Sequence, residues 1–269
     1  MIVARTIADA RAALEPRRAG TVGLVSTMGA LHAGHRALLA AARAECDTVA
    51  ASVFVNPAQF GPDEDLDRYP RDEAADLAAL EDAGVDLAFL PSAGEMYPPG
   101  FQTFVEVEEL GRRLEGDARP GHFRGVATVC LKLFSIVRPD RAYFGQKDAQ
   151  QAEVIARMID DLALGIELRV VPTVRDGDGL ALSSRNAYLS TAEREAALAL
   201  PRALAAGAEA HRTGGDAAGA ARAALSGEPR VEPDYVEVAR WNGRAVLVAA
   251  VRVGSTRLTD NVVLEGGWA

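Results

Sequence analysis

Over its first two thirds the chain alternates short β-rich runs with runs of helical spacing. That alternation admits few folds, because it is the pattern of repeated strand, helix, strand units building a parallel sheet covered on both faces. TVGLVST (21–27) reads as a buried strand, and a helix follows from His32 to about Glu45. A second strand at 48–56 ends at Asn56-Pro57, where proline stops ladder pairing. The spacing over 72–83 predicts a helix with Gly84 as its stop, and VDLAFLP (85–91) returns as a strand. Helices are expected over 122–137 and 148–163, with a strand at 142–144 between them and another at 166–172 after them.

After Pro172 the pattern changes. An alanine-rich helical stretch runs from Thr191 to about Arg212, a glycine-rich break and a shorter helix follow, and three extended segments close the sequence. Turns at Asn242-Gly243 and Gly254-Ser255 suit antiparallel pairing of those segments. The expectation is an α/β protein, with a parallel-sheet domain over 1–173 and a smaller α+β domain over 174–269. RDGDGLALSS (175–184) reads as the hinge.

A chain of 269 residues with 49% hydrophobic content can bury such a core without staples. The cysteines, Cys46 and Cys130, lie far apart and outside any metal-binding spacing, so reduced thiols in a cytoplasmic protein are expected. No signal-like segment and no apolar run of about 18 residues is present, which argues against a membrane location. Thirty-eight acidic against 29 basic residues give a net charge of -9, the wrong sign for a surface that gathers nucleic acid. An anionic substrate must then be held by a local cluster of donors and cations.

The sharpest such cluster is Thr27-Met28-Gly29-Ala30-Leu31-His32-Ala33-Gly34-His35, set between the first strand and the first strong helix. In open parallel sheets ligands bind at the carboxyl ends of strands, where the next helix offers amide donors and the positive end of its dipole. His32 and His35 share one face of the first helical turn and can donate to an α-phosphate as its charge grows; the same pair would also suit helix-end packing or a metal. Leu182-Ser183-Ser184-Arg185-Asn186 offers hydroxyls and a guanidinium on a loop that can close over phosphates, although the string is common in ordinary turns. Gly145-Gln146-Lys147-Asp148 sits at another strand end, with Lys147 placed for a phosphate and Asp148 for a helix cap or magnesium. Gln59 and Gln151 are neutral amides able to bind an acid's oxygens without quenching its nucleophilicity.

The H-x-G-H loop paired with the S-S-R loop resembles the HIGH and KMSKS-like pair of the nucleotidyltransferase superfamily. Beyond that pair, MGALHAGH (28–35), FVNPAQFGPDEDLDRYPR (54–71), GHFRGVATVCLKLFSIVRPDRAYFGQKDAQQ (121–151) and PTVRDGDGLALSSRN (172–186) are similar, in order and spacing, to the pantoate–β-alanine ligase family. The resemblance implies a Rossmann-like first domain, pantoate, β-alanine and ATP with Mg2+ as the small-molecule partners, a pantoyl-adenylate intermediate, and a homodimer through the larger domain. It implies ATP contacts from Met28 to His35, from Gly145 to Asp148, at Val174 and from Leu182 to Arg185. His35 is implied as the proton donor, read physically as stabilising phosphate charge. Gln59 and Gln151 are implied as pantoate ligands, Gln59 also near β-alanine. Three positions depart from the pattern: Ser26 for a usual proline, Gln146 for a usual glutamate and Leu182 for a usual methionine. Two other readings share these motifs: an adenylyltransferase of cofactor biosynthesis, which keeps AMP on its product, and a non-enzymatic nucleotide-binding module.

Overall fold

The computed structural model describes residues 1–62 and 64–268, and the chain forms two compact units. The first comprises Met1–Phe144 and Gln150–Val171. Its sheet has six strands: β1 (Ile2–Ala4), β2 (Val22–Thr27), β3 (Thr48–Val53), β4 (Leu87–Phe89), β5 (Arg141–Gly145) and β6 (Glu167–Val171), ordered β1-β4-β3-β2-β5-β6. Pairing is parallel from β1 through β4, β3 and β2 to β5. Around it lie α1 (Ile7–Leu14), α2 (Ala33–Glu45), α3 (Glu73–Asp82), the single turns α4 (Ala93–Met96) and α5 (Glu115–Ala118), and the longer α6 (His122–Val137) and α7 (Ala149–Asp161).

Register explains why both faces are covered. Leu24 pairs with Ala50 and Ala142, and Ala50 with Leu87; this row enters the core beneath α6 and α7. The next row, Val25 with Ala51 and Tyr143, and Ala51 with Ala88, enters the opposite core with Leu38, Leu39 and Leu80 from α2 and α3. Successive strand residues thus feed opposite faces, which is why the strands read as continuous apolar runs. The strand order reverses between β2 and β5, so their carboxyl ends flank the switch point where such sheets bind ligands.

The second unit comprises Gly145–Ala149 and the chain from Pro172 onward. Strands β7 (Val231–Trp241), β8 (Arg244–Val253) and β9 (Thr256–Glu265) form an antiparallel meander with the expected turns at 242–243 and 254–255. Helices α8 (Thr191–Ala197), α9 (Ala199–Arg212) and α10 (Ala217–Leu225) bury Leu200, Leu204, Ala221 and Leu225 against Leu247, Ala249 and Val251. This is the α/β architecture with a small C-terminal α+β part that the sequence implies.

Four local features differ from the sequence expectation. The pattern signals no element at β1 or α1; β1 is a three-residue edge strand, too short to show alternation. The alanine-rich helix is two, interrupted at Leu198, because Pro201 has no amide to bond the carbonyl of Ala197. The strand expected to reach 56 stops at Val53, and a turn over Pro57–Gln59 follows, capped by the Asn56 side chain on the Ala58 amide. The expected hinge at 175–184 is an internally tied loop: Asp176 N–H bonds Leu180 O at 2.9 Å, Leu182 N–H bonds Val174 O at 3.0 Å, and Arg194 holds Asp176 and Asp178.

Candidate active site

In the first unit the segment after β2 is held by hydrogen bonds within itself and to β3 and α3. Thr27 Oγ1 donates to Ser52 O at 2.8 Å and accepts from Gly29 N–H at 3.2 Å. Gly29 and Ala30 follow in left-handed backbone, at φ 84° and 51°. The Asp76 carboxylate of α3 meets the amides at this turn, accepting from Ala30 N–H at 3.0 Å and Leu31 N–H at 2.8 Å. A Cβ on Gly29 would lie 2.7 Å from Asp76 Oδ2, so only glycine lets the carboxylate approach.

His32 caps α2. Its Nδ1 accepts from Gly34 N–H at 3.1 Å, while His35 Nδ1 accepts from His32 N–H at 3.3 Å, a reciprocal capping box. Because both Nδ1 atoms are acceptors, each neutral ring carries its proton on Nε2. The rings lie 4.1 Å apart between centroids, tilted by 40°. This refines the sequence reading. The amides of Gly29, Ala30, Leu31, His32 and Gly34 are already bonded within the protein.

Met28 points to the next loop. Gln59 Nε2 donates to Met28 Sδ at 3.2 Å, and Gln59 Oε1 accepts from Asn56 Nδ2 at 3.0 Å. Asn56 is held in turn by Tyr97, whose hydroxyl donates to Oδ1 at 2.8 Å, and by the Gly125 carbonyl at 3.2 Å. Gly125 permits this approach of α6, since a Cβ there would overlap the Ala58 carbonyl. Behind Gln59, His122 Nδ1 bonds the Gln59 carbonyl at 2.9 Å and Arg119 approaches His122 Nε2 at 3.1 Å. Arg119 Nε also donates to Glu64 Oε1 at 2.8 Å. Burial opposes ionisation of Glu64, but the Arg119 hydrogen bond and charge outweigh it and hold the carboxyl below its usual range. Gln151 is half-buried in the first turn of α7 and stands apart from this hydrogen-bonded group; its neighbour Gln150 is structural, bonding Leu110 O and Arg113 O at 2.7 Å each.

His122 carries a pH dependence. Burial, then the Arg119 charge, pushes it down to about 4 from 6.5. Below pH 6.5 the unfolded chain takes up a proton that the native ring refuses until about pH 4, so stability falls as pH falls through that window. The full loss is about 3 kcal/mol. Urea unfolding at several pH values should show a steeper slope in the wild type than in His122→Gln, which lacks this group; superimposable slopes would refute the assignment.

In the second unit, Gly145, Gln146, Lys147 and Asp148 form a turn against β9, although the sequence pattern places them in the first domain. Asn261 explains this: its Nδ2 donates to Gln146 O at 2.8 Å and Lys147 O at 2.9 Å. Lys147 Nζ lies 3.3 Å from both Thr259 Oγ1 and Asp148 Oδ1. Gln146 Nε2 reaches Asn261 Oδ1 at 3.4 Å, so this departure from the family pattern joins the same contact. The turn Ser184–Tyr188, carrying Arg185 and capped by Ser183 Oγ on Arg185 N–H at 3.2 Å, also packs on β9. Val174 and Leu182 pair across the loop that leads there. Beneath, the buried Asp260 takes two bonds from Arg175, at 2.6 and 3.0 Å. Lys147 and the serine–arginine loop thus share one strand of one unit, while His32, His35, Met28 and Gln59 are grouped in the other.

Sequence reasoning missed Asp76, Asn56, Tyr97, Arg119, His122 and Asn261. For Asp76 a signal existed: it stands four residues before the buried Leu80, placing a charge on the apolar side of α3.

Known proteins point the same way from several directions. The pantoate-beta-alanine ligase family model matches residues 2–263. A pantothenate synthetase of Roseiflexus castenholzii is 55% identical, covering 98% of this chain and 100% of its own length. One from Chloroflexus aurantiacus is 53% identical over 99% of each. Among solved structures, the pantothenate synthetase of Thermus thermophilus superposes with a TM-score of 0.94 at 49% identity, over 99% of this chain and 100% of that one. The pantoate-beta-alanine ligase of Francisella tularensis, complexed with beta-gamma ATP and beta-alanine, gives 0.84 at 34% identity over 99% of each chain. This chain is an enzyme of the pantoate–β-alanine ligase family.

Proposed function

We propose that the chain joins pantoate to β-alanine in two steps on one nucleotide. A pantoate carboxylate oxygen attacks the α-phosphorus of ATP, the bond to the bridging oxygen breaks, and pyrophosphate leaves. The amine of β-alanine then attacks the acyl carbon of pantoyl-adenylate, loses a proton, and expels AMP. The observation that carries this reading is the contact between Met28 and Gln59. It sets an acid-binding amide beside the loop that bears the imidazole pair. The bond it makes there is to a thioether, a weak acceptor that a carboxylate or hydroxyl oxygen readily displaces. The Francisella relative is complexed with both an ATP species and beta-alanine, in keeping with the same pairing of substrates.

In this reading the Nε2–H groups of His32 and His35 hold the α-phosphate oxygens, whose charge rises as pyrophosphate departs. Lys147 and Arg185 take the outer phosphates, with Ser183, Ser184 and the backbone of Gly145, Gln146, Val174 and Leu182 around the nucleotide. Gln59 and Gln151 orient pantoate. A magnesium ion travelling with the triphosphate needs only one or two protein oxygens and neutralises phosphate charge. Asp148, half exposed beside Lys147, fits that need, and among the described residues no cluster of three or more ligating side chains exists for a protein-only site. The two buried free cysteines suit a reducing cytoplasm.

The test is exchange of labelled pyrophosphate into ATP. Exchange that requires pantoate and no β-alanine, followed by release of AMP on adding β-alanine, is expected. A stable product that keeps its AMP, or no pantoate-dependent exchange, would overturn the proposal.

A further inference from the structure

Asp76 is 3% exposed, on the first full turn of α3, and has no ion pair among the described residues. A buried carboxylate costs several kcal/mol unless it is fully bonded. Here the bonds come from two amides of the loop after β2, at 3.0 and 2.8 Å. A purely structural acid would be served as well by any helix end. This one is served by a backbone turn with a glycine at φ 84° and an alanine at φ 51°, the latter a conformation with a steric cost. The next residue after those amides is His32, whose imidazole starts the capping box that aims His35.

We infer that Asp76 is a positioning residue for the adenylation step: by accepting from both amides it fixes Ala30 and Leu31, and through them the imidazoles of His32 and His35. Its carboxylate already accepts from those two amides. The inference deepens the proposed function and rests on it. Asp76 touches no substrate in this scheme; it acts only through the loop.

The test uses the full chain and the pantoate-dependent exchange reaction. Asp76→Asn keeps the shape but sets an amide donor against one of the two backbone donors. Displacement of the loop by about 1 Å is enough for a loss of ten- to a hundredfold in exchange rate. The KM for pantoate should stay within about twofold, since Gln59 is also held by Asn56 and His122, outside that loop. The decisive arm is the double variant. If Asp76 works through the imidazole pair, adding Asp76→Asn to His35→Ala should cost clearly less than Asp76→Asn costs the wild type, because one of the two side chains it positions is gone. Full additivity would overturn the inference, as would an Asp76→Asn enzyme with the wild-type rate. If Asp76→Asn does not fold, Asp76→Ser, which removes the charge without burying a new amide donor, reads the same cycle. A wild-type chain with no pantoate-dependent exchange would instead sink the proposed function, so the two failures are distinguishable.

Discussion

His35→Ala is expected to slow formation of pantoyl-adenylate about a hundredfold or more, the effect of losing one preorganised donor to a developing charge. The geometry divides the side chain into two halves with separate jobs. Nδ1 belongs to the helix cap, accepting from His32 N–H at 3.3 Å, and the loss of such a cap costs about 1 kcal/mol of stability. Nε2 is the half that donates to phosphate in the proposed reaction. Two further variants pull these apart. In His35→Asn the shorter side chain puts its oxygen near the Nδ1 position, so the helix start survives and the donor is lost; in His35→Gln the amide reaches the Nε2 position and the cap is lost. Single-turnover measurements should find His35→Asn as slow as His35→Ala yet close to the wild type in melting temperature. His35→Gln should be the faster and the less stable of the two. A His35→Asn enzyme at wild-type speed would remove the donor role.

Lys147→Ala is expected to lower kcat/KM for ATP by ten- to a hundredfold, corresponding to about 1.5–3 kcal/mol for a hydrogen bond to a charged group. The KM for pantoate should move by less than about twofold. This asymmetry follows from what holds the lysine. Its ammonium rests between Thr259 Oγ1 and Asp148 Oδ1, and its main chain is held by Asn261, all within the unit that also carries the serine–arginine loop. Gln59 is held by Asn56 and His122 in the other unit. Equal losses for both substrates would mean that Lys147 shapes the whole site rather than meeting phosphate. Arginine should rescue poorly, because its planar fork cannot occupy the space of a compact ammonium between these partners.

The features legible in the sequence were those written in local chemistry. Strands β2 and β3 announce themselves as apolar runs because both faces are buried, and the Asn242-Gly243 turn follows from backbone preference alone. His32 and His35 could be singled out by spacing, since three residues apart at a helix start is one face. Their partners could not be. Asp76 reaches the loop from another helix, 45 and 46 positions away from the amides it bonds, and nothing in local periodicity encodes that meeting. The same holds for Asn261, 114 positions from the carbonyl of Lys147; its contacts are why Gly145–Ala149 groups with the C-terminal strands and not with the sheet that precedes it. The 175–184 segment reads as slack because it is rich in glycine and aspartate. In the fold those aspartates serve as anchors for Arg194.

In the proposed reaction the imidazoles of His32 and His35 hold the α-phosphate of ATP. The most direct measurement is a crystal structure with a non-hydrolysable ATP analogue and pantoate. It should show His35 Nε2 within hydrogen-bond distance of an α-phosphate oxygen. An α-phosphate with neither imidazole in reach would contradict the account.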